Sequence, residues 1–220
     1  MKILFEQDIL QENAHQAELN KSAFGDTLVI NIIGSPGCGK TTLLEKTIDA
    51  LAGELNIGII EGDIYTAKDA DRISHHQVPV IQCNTAGGCH LSAEIIAKAT
   101  AELNAGALDI LIIENVGNLV CPAEFDLGED HKVAVLSVVE GDDKPAKYPL
   151  LFQEAGMIII NKCDFLELTN FNMDSAIADL RGLNENAPII QMAAYKDDGL
   201  EPWFQWLRDE VKSKRNRADA

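Results

Sequence analysis

The residues with the plainest chemical meaning stand in one run, Gly34-Ser35-Pro36-Gly37-Cys38-Gly39-Lys40-Thr41, the spacing G-x-x-x-x-G-K-[ST]. Glycines let a backbone wrap a phosphate with its N–H groups pointing inward, and a following helix adds its positive N-terminal end. Lys40 is placed to reach the β- and γ-phosphates, and the Thr41 hydroxyl to ligate Mg²⁺. With Thr42, these residues form the expected nucleotide-binding loop; Cys38 is expected to be an interchangeable position within it. The context supports the reading, because a β-branched run precedes the loop and an amphipathic helix pattern follows it.

A second motif selects the base. Asn161-Lys162-Cys163-Asp164 follows an apolar run, Met157–Ile160. The Asp164 carboxylate can accept from both N1–H and the 2-amino group of guanine. Adenine lacks those donors and would leave a charged oxygen unpaired, at a cost of about 1–3 kcal/mol. Lys162 is expected to lie along the base and Asn161 to tie this loop to the phosphate loop. Met192-Ala193-Ala194-Tyr195-Lys196 occupies the place of a further base-supporting segment, without its usual serine. For the metal side of the triphosphate, Ile110–Ile113 ends in Glu114-Asn115-Val116-Gly117, a D-x-x-G-like sequence with Glu for Asp. Gly117 is placed to meet the γ-phosphate, and Asp63, after Ile57–Ile60, is the second acidic candidate for Mg²⁺. The expected catalytic set is therefore Lys40, Thr41, Asp63, Glu114 and Gly117. No residue clearly positions the attacking water, so intrinsic GTP hydrolysis is expected to be slow.

Three soft ligands lie in two loops, Cys89-His90 and Cys121. Thiolate and imidazole suit Ni²⁺ or Zn²⁺ better than Mg²⁺. By spacing alone they could equally be small buried residues. Three ligands leave a fourth position for water or for a second copy of the loop across a two-fold axis. Cys83 reads as a core residue, and His75-His76 as a helix surface or end.

These residues need a scaffold that brings several loops to one edge. Apolar runs recur at Leu28–Ile33, Ile57–Ile60, Val80–Cys83, Ile110–Ile113, Val133–Val139, Met157–Ile160 and Ile189–Met192, separated by helical stretches. That alternation predicts an α/β fold, a mostly parallel sheet of about seven strands with helices on both faces. Leu44, Ile48 and Leu51 predict one helix stripe, Ile95, Ala99 and Leu103 another, and Leu200, Trp203, Phe204, Leu207 and Val211 a last one. Lys212–Arg217 reads as a solvated end. Residues 1–26 are expected to form a peripheral helical segment, and residues 27–215 a single nucleotide-binding domain.

Composition narrows the partners. The 220 residues carry 35 acidic and 18 basic side chains, a formal net charge of -17. Such a surface repels nucleic acid and anionic lipid. No apolar run approaches the roughly 18 residues of a membrane span, and Glu6 and Asp8 stand where a secretory signal would be apolar. The expected location is cytoplasmic. Five cysteines do not suggest a disulfide framework.

Taken together, the motifs resemble those of the hydrogenase nickel-incorporation GTPase family, HypB. The resemblance spans roughly Leu28 to Leu207. It rests on Gly34–Thr41, on Glu61-Gly62-Asp63 with Asp69-Ala70-Asp71-Arg72-Ile73, and on Gly88-Cys89-His90-Leu91. It rests further on the string Glu114 to Gly128, ENVGNLVCPAEFDLG, on Glu140-Gly141-Asp142-Asp143-Lys144, and on Asn161–Asp164. The long central string is the most specific part, and the related urease nickel GTPase lacks it; that family is the alternative reading. The resemblance implies a SIMIBI-type P-loop GTPase that forms a homodimer with GTP, with metal held at the subunit interface by Cys89, His90 and Cys121. It implies delivery of Ni²⁺ to the large subunit of a [NiFe]-hydrogenase, helped by a small zinc-binding accessory protein. Many members begin with a cysteine-rich nickel motif. The segment before Leu28 has no cysteine and only His15, so nickel is expected to rest on the internal site or to come from partners.

Overall fold

A computed structural model describes residues 6–63, 72–73, 75–103 and 107–218; Asp69, Ala70 and Asp71 of the sequence motif lie outside them. The strands are β1 (Leu28–Gly34), β2 (Ile57–Asp63), β3 (Val80–Asn84), β4 (Ile110–Glu114), β5 (His131–Ser137), β6 (Ala155–Asn161) and β7 (Ile189–Gln191). They form a seven-stranded sheet in the order β3-β2-β4-β1-β5-β6-β7, every pairing parallel. The helices are α1 (Glu6–Phe24), α2 (Lys40–Leu51), α3 (Ala93–Leu103), the short α4 (Cys121–Glu124), α5 (Lys144–Lys147) and α6 (Pro149–Glu154), then α7 (Met173–Leu183) and α8 (Glu201–Ala218).

Strands buried on both faces need apolar residues at every position, and β1 is buried throughout. Its side chains alternate between layers: Leu28, Ile30 and Ile32 pack with α2 and α8, whereas Val29 packs with Phe24 of α1 and Ile96 of α3. On the β5–β6 side, a third cluster joins Leu136, Ile158 and Ile160 to Phe152 of α6 and Leu180 of α7.

Some boundaries differ from the periodicity. The run Val133–Val139 ends as a strand at Ser137, which pairs with Asn161 at the end of β6. With no further partner, Val138–Glu140 turns into a 3₁₀ helix and Val139 is exposed. In α3 the buried face is centred on Ala93, Ile96 and Ala99, while Ile95 and Leu103 pack at its edge. The stripe Leu200–Val211 is buried as expected. The basic run after it is mostly exposed, as expected, but it is helical and anchored. Helix α8 continues through it because acids at the opposite sheet edge draw it in. Lys214 meets Asp130 at 2.7 Å with both side chains largely buried, and Arg215 pairs with Asp109. His76 lies near the surface beside Asp49, 2.8 Å away, and Cys83 is half-buried against the α3 cluster. Among the described residues, no helix is long and apolar enough to cross a membrane.

One buried polar contact fixes α8 to α2. The Trp203 indole N–H donates to Thr47 Oγ1 at 2.8 Å, and both residues are essentially inaccessible. Replacing Thr47 by Val keeps the shape but leaves that N–H without an acceptor. The expected loss is about 1–3 kcal/mol of stability, read from the midpoint of urea denaturation at constant slope.

Candidate functional site

In an open parallel sheet, ligands bind beyond the carboxyl ends of the strands where the connections diverge. Here β1 lies between β4 and β5, and its last residue, Gly34, pairs with Val135. The loop that follows turns back on itself through Gly37 and Gly39, with φ of 77° and 102°, values that favour glycine. At Gly39 a Cβ would lie 2.4 Å from Asn161 Nδ2. The Lys40 ammonium is drawn into the loop, donating to Gly34 O at 3.2 Å and Ser35 O at 3.4 Å. Cys38, at a position the motif leaves variable, is packed inward. It is fully buried beneath the loop, which pushes its thiol up to about 11, and its carbonyl accepts from Asn161 Nδ2 at 2.9 Å.

Beside this loop is a cavity of about 390 Å³ that gathers Lys40, Thr41, Asp63, Glu114 and Gly117. Thr41 Oγ1 donates to Glu114 Oε1 at 2.8 Å. Hydroxyl and carboxylate oxygens of this kind suit a hard cation such as Mg²⁺, and Asp63, ending β2, contributes to the same wall. Gly117 lies against Pro36 so closely that a Cβ there would be 2.8 Å from Pro36 Cγ. The backbone of the Glu114–Gly117 segment thus touches the phosphate loop.

A second cavity, about 290 Å³, opens between the phosphate loop and the end of β6. Gly39, Asn161, Lys162, Asp164, Phe165 and Tyr195 contribute to its lining. Asn161 is nearly inaccessible and makes two further ties: its Oδ1 accepts from Lys162 N at 2.8 Å and Ala194 N at 3.1 Å, besides the hydrogen bond its Nδ2 donates to Cys38 O. The segment Met192–Lys196, lacking its serine, is therefore held to the motif by the Ala194 backbone. Lys162 takes a left-handed φ of 60°, and its ammonium donates to Gly37 O at 2.5 Å. Its stem spans the boundary between the two cavities.

The three soft ligands converge. Ligand atoms of Cys89, His90 and Cys121 all lie within 4.8 Å of one another. Cys89 Sγ is 2.7 Å from Cys121 Sγ and 3.6 Å from His90 Nδ1. Two thiolates at 2.3 Å from one tetrahedral ion would stand about 3.8 Å apart, so the sulfurs need to part by about 1 Å to seat Zn²⁺ or Ni²⁺. Proximity to Cys121, then burial, holds the Cys89 thiol above its ordinary range, and burial lowers the His90 imidazole. Metal capture at these groups is coupled to loss of the thiol protons.

Several neighbours acquire their roles only in the fold. Phe125 stacks on the His90 ring at 3.7 Å between centroids. Asn118 Nδ2 donates to Cys89 O at 3.1 Å, joining the two ligand loops. The Asn115 side chain accepts from Leu91 N at 3.3 Å and Val116 N at 3.0 Å and donates to Asn31 Oδ1, whose own amide donates to buried Glu129. Arg72 enters the phosphate cavity wall and pairs with Glu45 at 2.6 Å. Arg72, Asn115, Asn118 and Phe125 all stand within strings that carry the resemblance, but their partners lie in other segments, so the role of each side chain emerges only in the fold.

A parallel sheet whose central strand runs into a glycine-rich phosphate loop, with acids at the neighbouring strand ends, defines a P-loop nucleotide-binding protein. Residues 28–191 match the family model described as CobW/HypB/UreG, nucleotide-binding domain. Hydrogenase maturation factor HypB of Escherichia coli K12 is 47% identical over 205 residues, covering 92% of this chain and 71% of that protein. Hydrogenase/urease maturation factor HypB of Helicobacter pylori J99 is 39% identical, covering 96% and 86%. Among solved structures, HypB from Helicobacter pylori in complex with nickel superposes with a TM-score of 0.87 at 37% identity, covering 92% of this chain and 96% of that one. HypB from Archaeoglobus fulgidus does so at 0.86, also with 37% identity, covering 91% and 99%. A LAO/AO transport system kinase shares the fold at 0.56 and 16% identity, covering 99% and 82%. The chain belongs to the HypB family.

Replacing Gly39 by Ala forces a Cβ toward Asn161 at a left-handed φ. Strain of about 1–3 kcal/mol should be relieved by loosening the loop. Nucleotide affinity, measured by a fluorescent analogue, is expected to fall roughly 5- to 150-fold.

Proposed function

We propose that this chain is a metal-regulated GTPase that inserts nickel during [NiFe]-hydrogenase maturation, coupling GTP binding, hydrolysis and homodimer formation to release of the ion. One observation carries the reading: a single short segment joins the two sites. At its start, Glu114 bonds Thr41 of the phosphate loop. Gly117 lies against Pro36. Four residues later, Cys121 meets Cys89.

The chemistry follows from these positions. The Gly34–Thr42 backbone and Lys40 hold the triphosphate, and Asp164 accepts from the guanine edge while Asn161 keeps that loop in register. Thr41, Asp63 and Glu114 would hold Mg²⁺, which supplies charge neutralisation at the β- and γ-phosphates. Gly117 meets the γ-phosphate through its N–H. Water attacks the γ-phosphorus, GDP leaves with the bridging oxygen, and the contact to Gly117 is lost. Because Cys121 belongs to the same segment, the thiolate pair changes spacing and the ion is released. A site of three ligands is completed by water or by the second subunit.

The family relatives named for hydrogenase maturation, and the relative solved with nickel, support this cargo and destination. The partners that follow are the hydrogenase large subunit and a small zinc-binding accessory protein, in the cytoplasm. Zn²⁺ fits the same ligands and is the natural competitor. The urease-type alternative draws support from the Helicobacter pylori relative, whose name includes both enzymes.

Nickel affinity measured with a nonhydrolysable GTP analogue and with GDP is expected to differ; equal affinities would remove the coupling. Lys40→Ala should abolish phosphate release, which separates a GTPase from a passive carrier. Asp164→Asn should move preference from GTP toward xanthosine triphosphate, and retained GTP preference would count against the assignment of the base contact.

A further inference from the structure

The ligand-bearing loops are long irregular segments, and something must hold them at a fixed separation. Cys89 and His90 lie just before α3, whose first residue is Ala93. Cys121 opens the other segment, which runs through Phe125 to Asp126, Leu127 and Gly128. Helix α1 lies across both.

Two asparagines on α1, seven residues and so about two turns apart, share a face. Each bridges the same two segments. Asn13 Oδ1 accepts from Ala93 N at 2.8 Å while its Nδ2 donates to Asp126 O at 2.7 Å. Asn20 Nδ2 donates to Ala93 O at 2.8 Å and to Leu127 O at 3.0 Å. Asn20 is 3% exposed, and its Oδ1 is fixed by Gln16 at 3.0 Å. Gly128, at φ 90°, lies so close that a Cβ would be 2.5 Å from Ala17 O and 2.9 Å from Asn20 Cβ. Phe24, Leu91 and Leu127 share one buried cluster, which backs the same contact. Four hydrogen bonds therefore connect one helix to the backbone just after His90 and just after the Cys121 turn.

We propose that α1 is the brace of the soft-metal site, with Asn13 and Asn20 as positioning residues that set the distance between the Cys89–His90 loop and Cys121. The proposal rests on the reading of Cys89, His90 and Cys121 as metal ligands. Groups that orient ligand-bearing elements commonly control metal affinity by 10- to 100-fold. Neither asparagine reaches the phosphate or base cavity, so nucleotide binding should be indifferent to their loss.

The test uses the full chain with nickel chloride titrated against a chelator, the sulfur-to-nickel charge-transfer band recorded in parallel, and a fluorescent GTP analogue as the second ligand. The double variant Asn13→Ala/Asn20→Ala is expected to bind nickel about 10- to 100-fold more weakly, with an altered charge-transfer band and nucleotide affinity within about twofold of the wild type. Asn13→Asp, which keeps the acceptor toward Ala93 and loses the donor toward Asp126, should fall between. Should the double variant fold poorly by circular dichroism, Asn13→Ala alone, at a half-buried position, is expected to show a several-fold loss of nickel affinity. Nickel binding within twofold of wild type in a folded variant, while Cys89→Ala abolishes it, would overturn the brace and leave the ligand assignment standing. Parallel loss of nickel and nucleotide affinity would overturn it too, reducing α1 to general support. If Cys89→Ala keeps wild-type affinity, the ligand assignment fails first and the brace with it.

Discussion

The site depends on the register of β1 between its two parallel neighbours. Gly34 is level with Val135 on one side, and Ile32 with Glu114 on the other. That pairing sets Glu114 two residues short of the level at which the phosphate loop starts, so the segment after Glu114 rises beside the loop. Parallel strands have no freedom to slip when every face is buried, because a shift of one residue would exchange the two core layers. From this one alignment the Thr41–Glu114 bond, the Gly117–Pro36 contact and the position of Cys121 follow in turn.

Polar groups near that edge are arranged to leave the loops little choice. Asn161 satisfies a carbonyl of the phosphate loop and two backbone N–H groups from different segments. Asn115 does the corresponding work between β1, the Leu91 backbone and the Gly117 turn. Asparagine suits both tasks because its amide offers donors and acceptors on a short stem. Buried networks of this kind are costly to break, so they fix geometry even where the local chain is irregular.

Charge is handled locally. A net charge of -17 describes the chain as a whole, yet Lys40, Arg72 and Lys162 all line the cavity beside the phosphate loop. Acids on the far side serve structure instead: Asp130 and Asp109 hold the basic end of α8. The run from Lys212 to Arg217 is mostly exposed, but the anchoring of Lys214 and Arg215 is not legible in the sequence, because their partners lie about 80 to 110 residues away along the chain.

By itself the sequence determined the sheet, the phosphate loop and the family, and it marked the Asn161–Asp164 string, since each is written in short-range spacing or in a contiguous string. The apolar stripe of α8 and the seven strand cores were legible for the same reason: burial on a sheet or helix imposes a period. Only tertiary structure decided where those periods stop, as at Ser137, where the partner strand ends. It alone decided that Cys38 is buried, that Phe125 stacks on His90, and that Asn13 and Asn20 of α1 bind the backbone after both His90 and Cys121. Such contacts join residues far apart in the chain through single side chains. A lone side chain has no period and no motif, and its meaning arises only once the backbone has brought a partner to it.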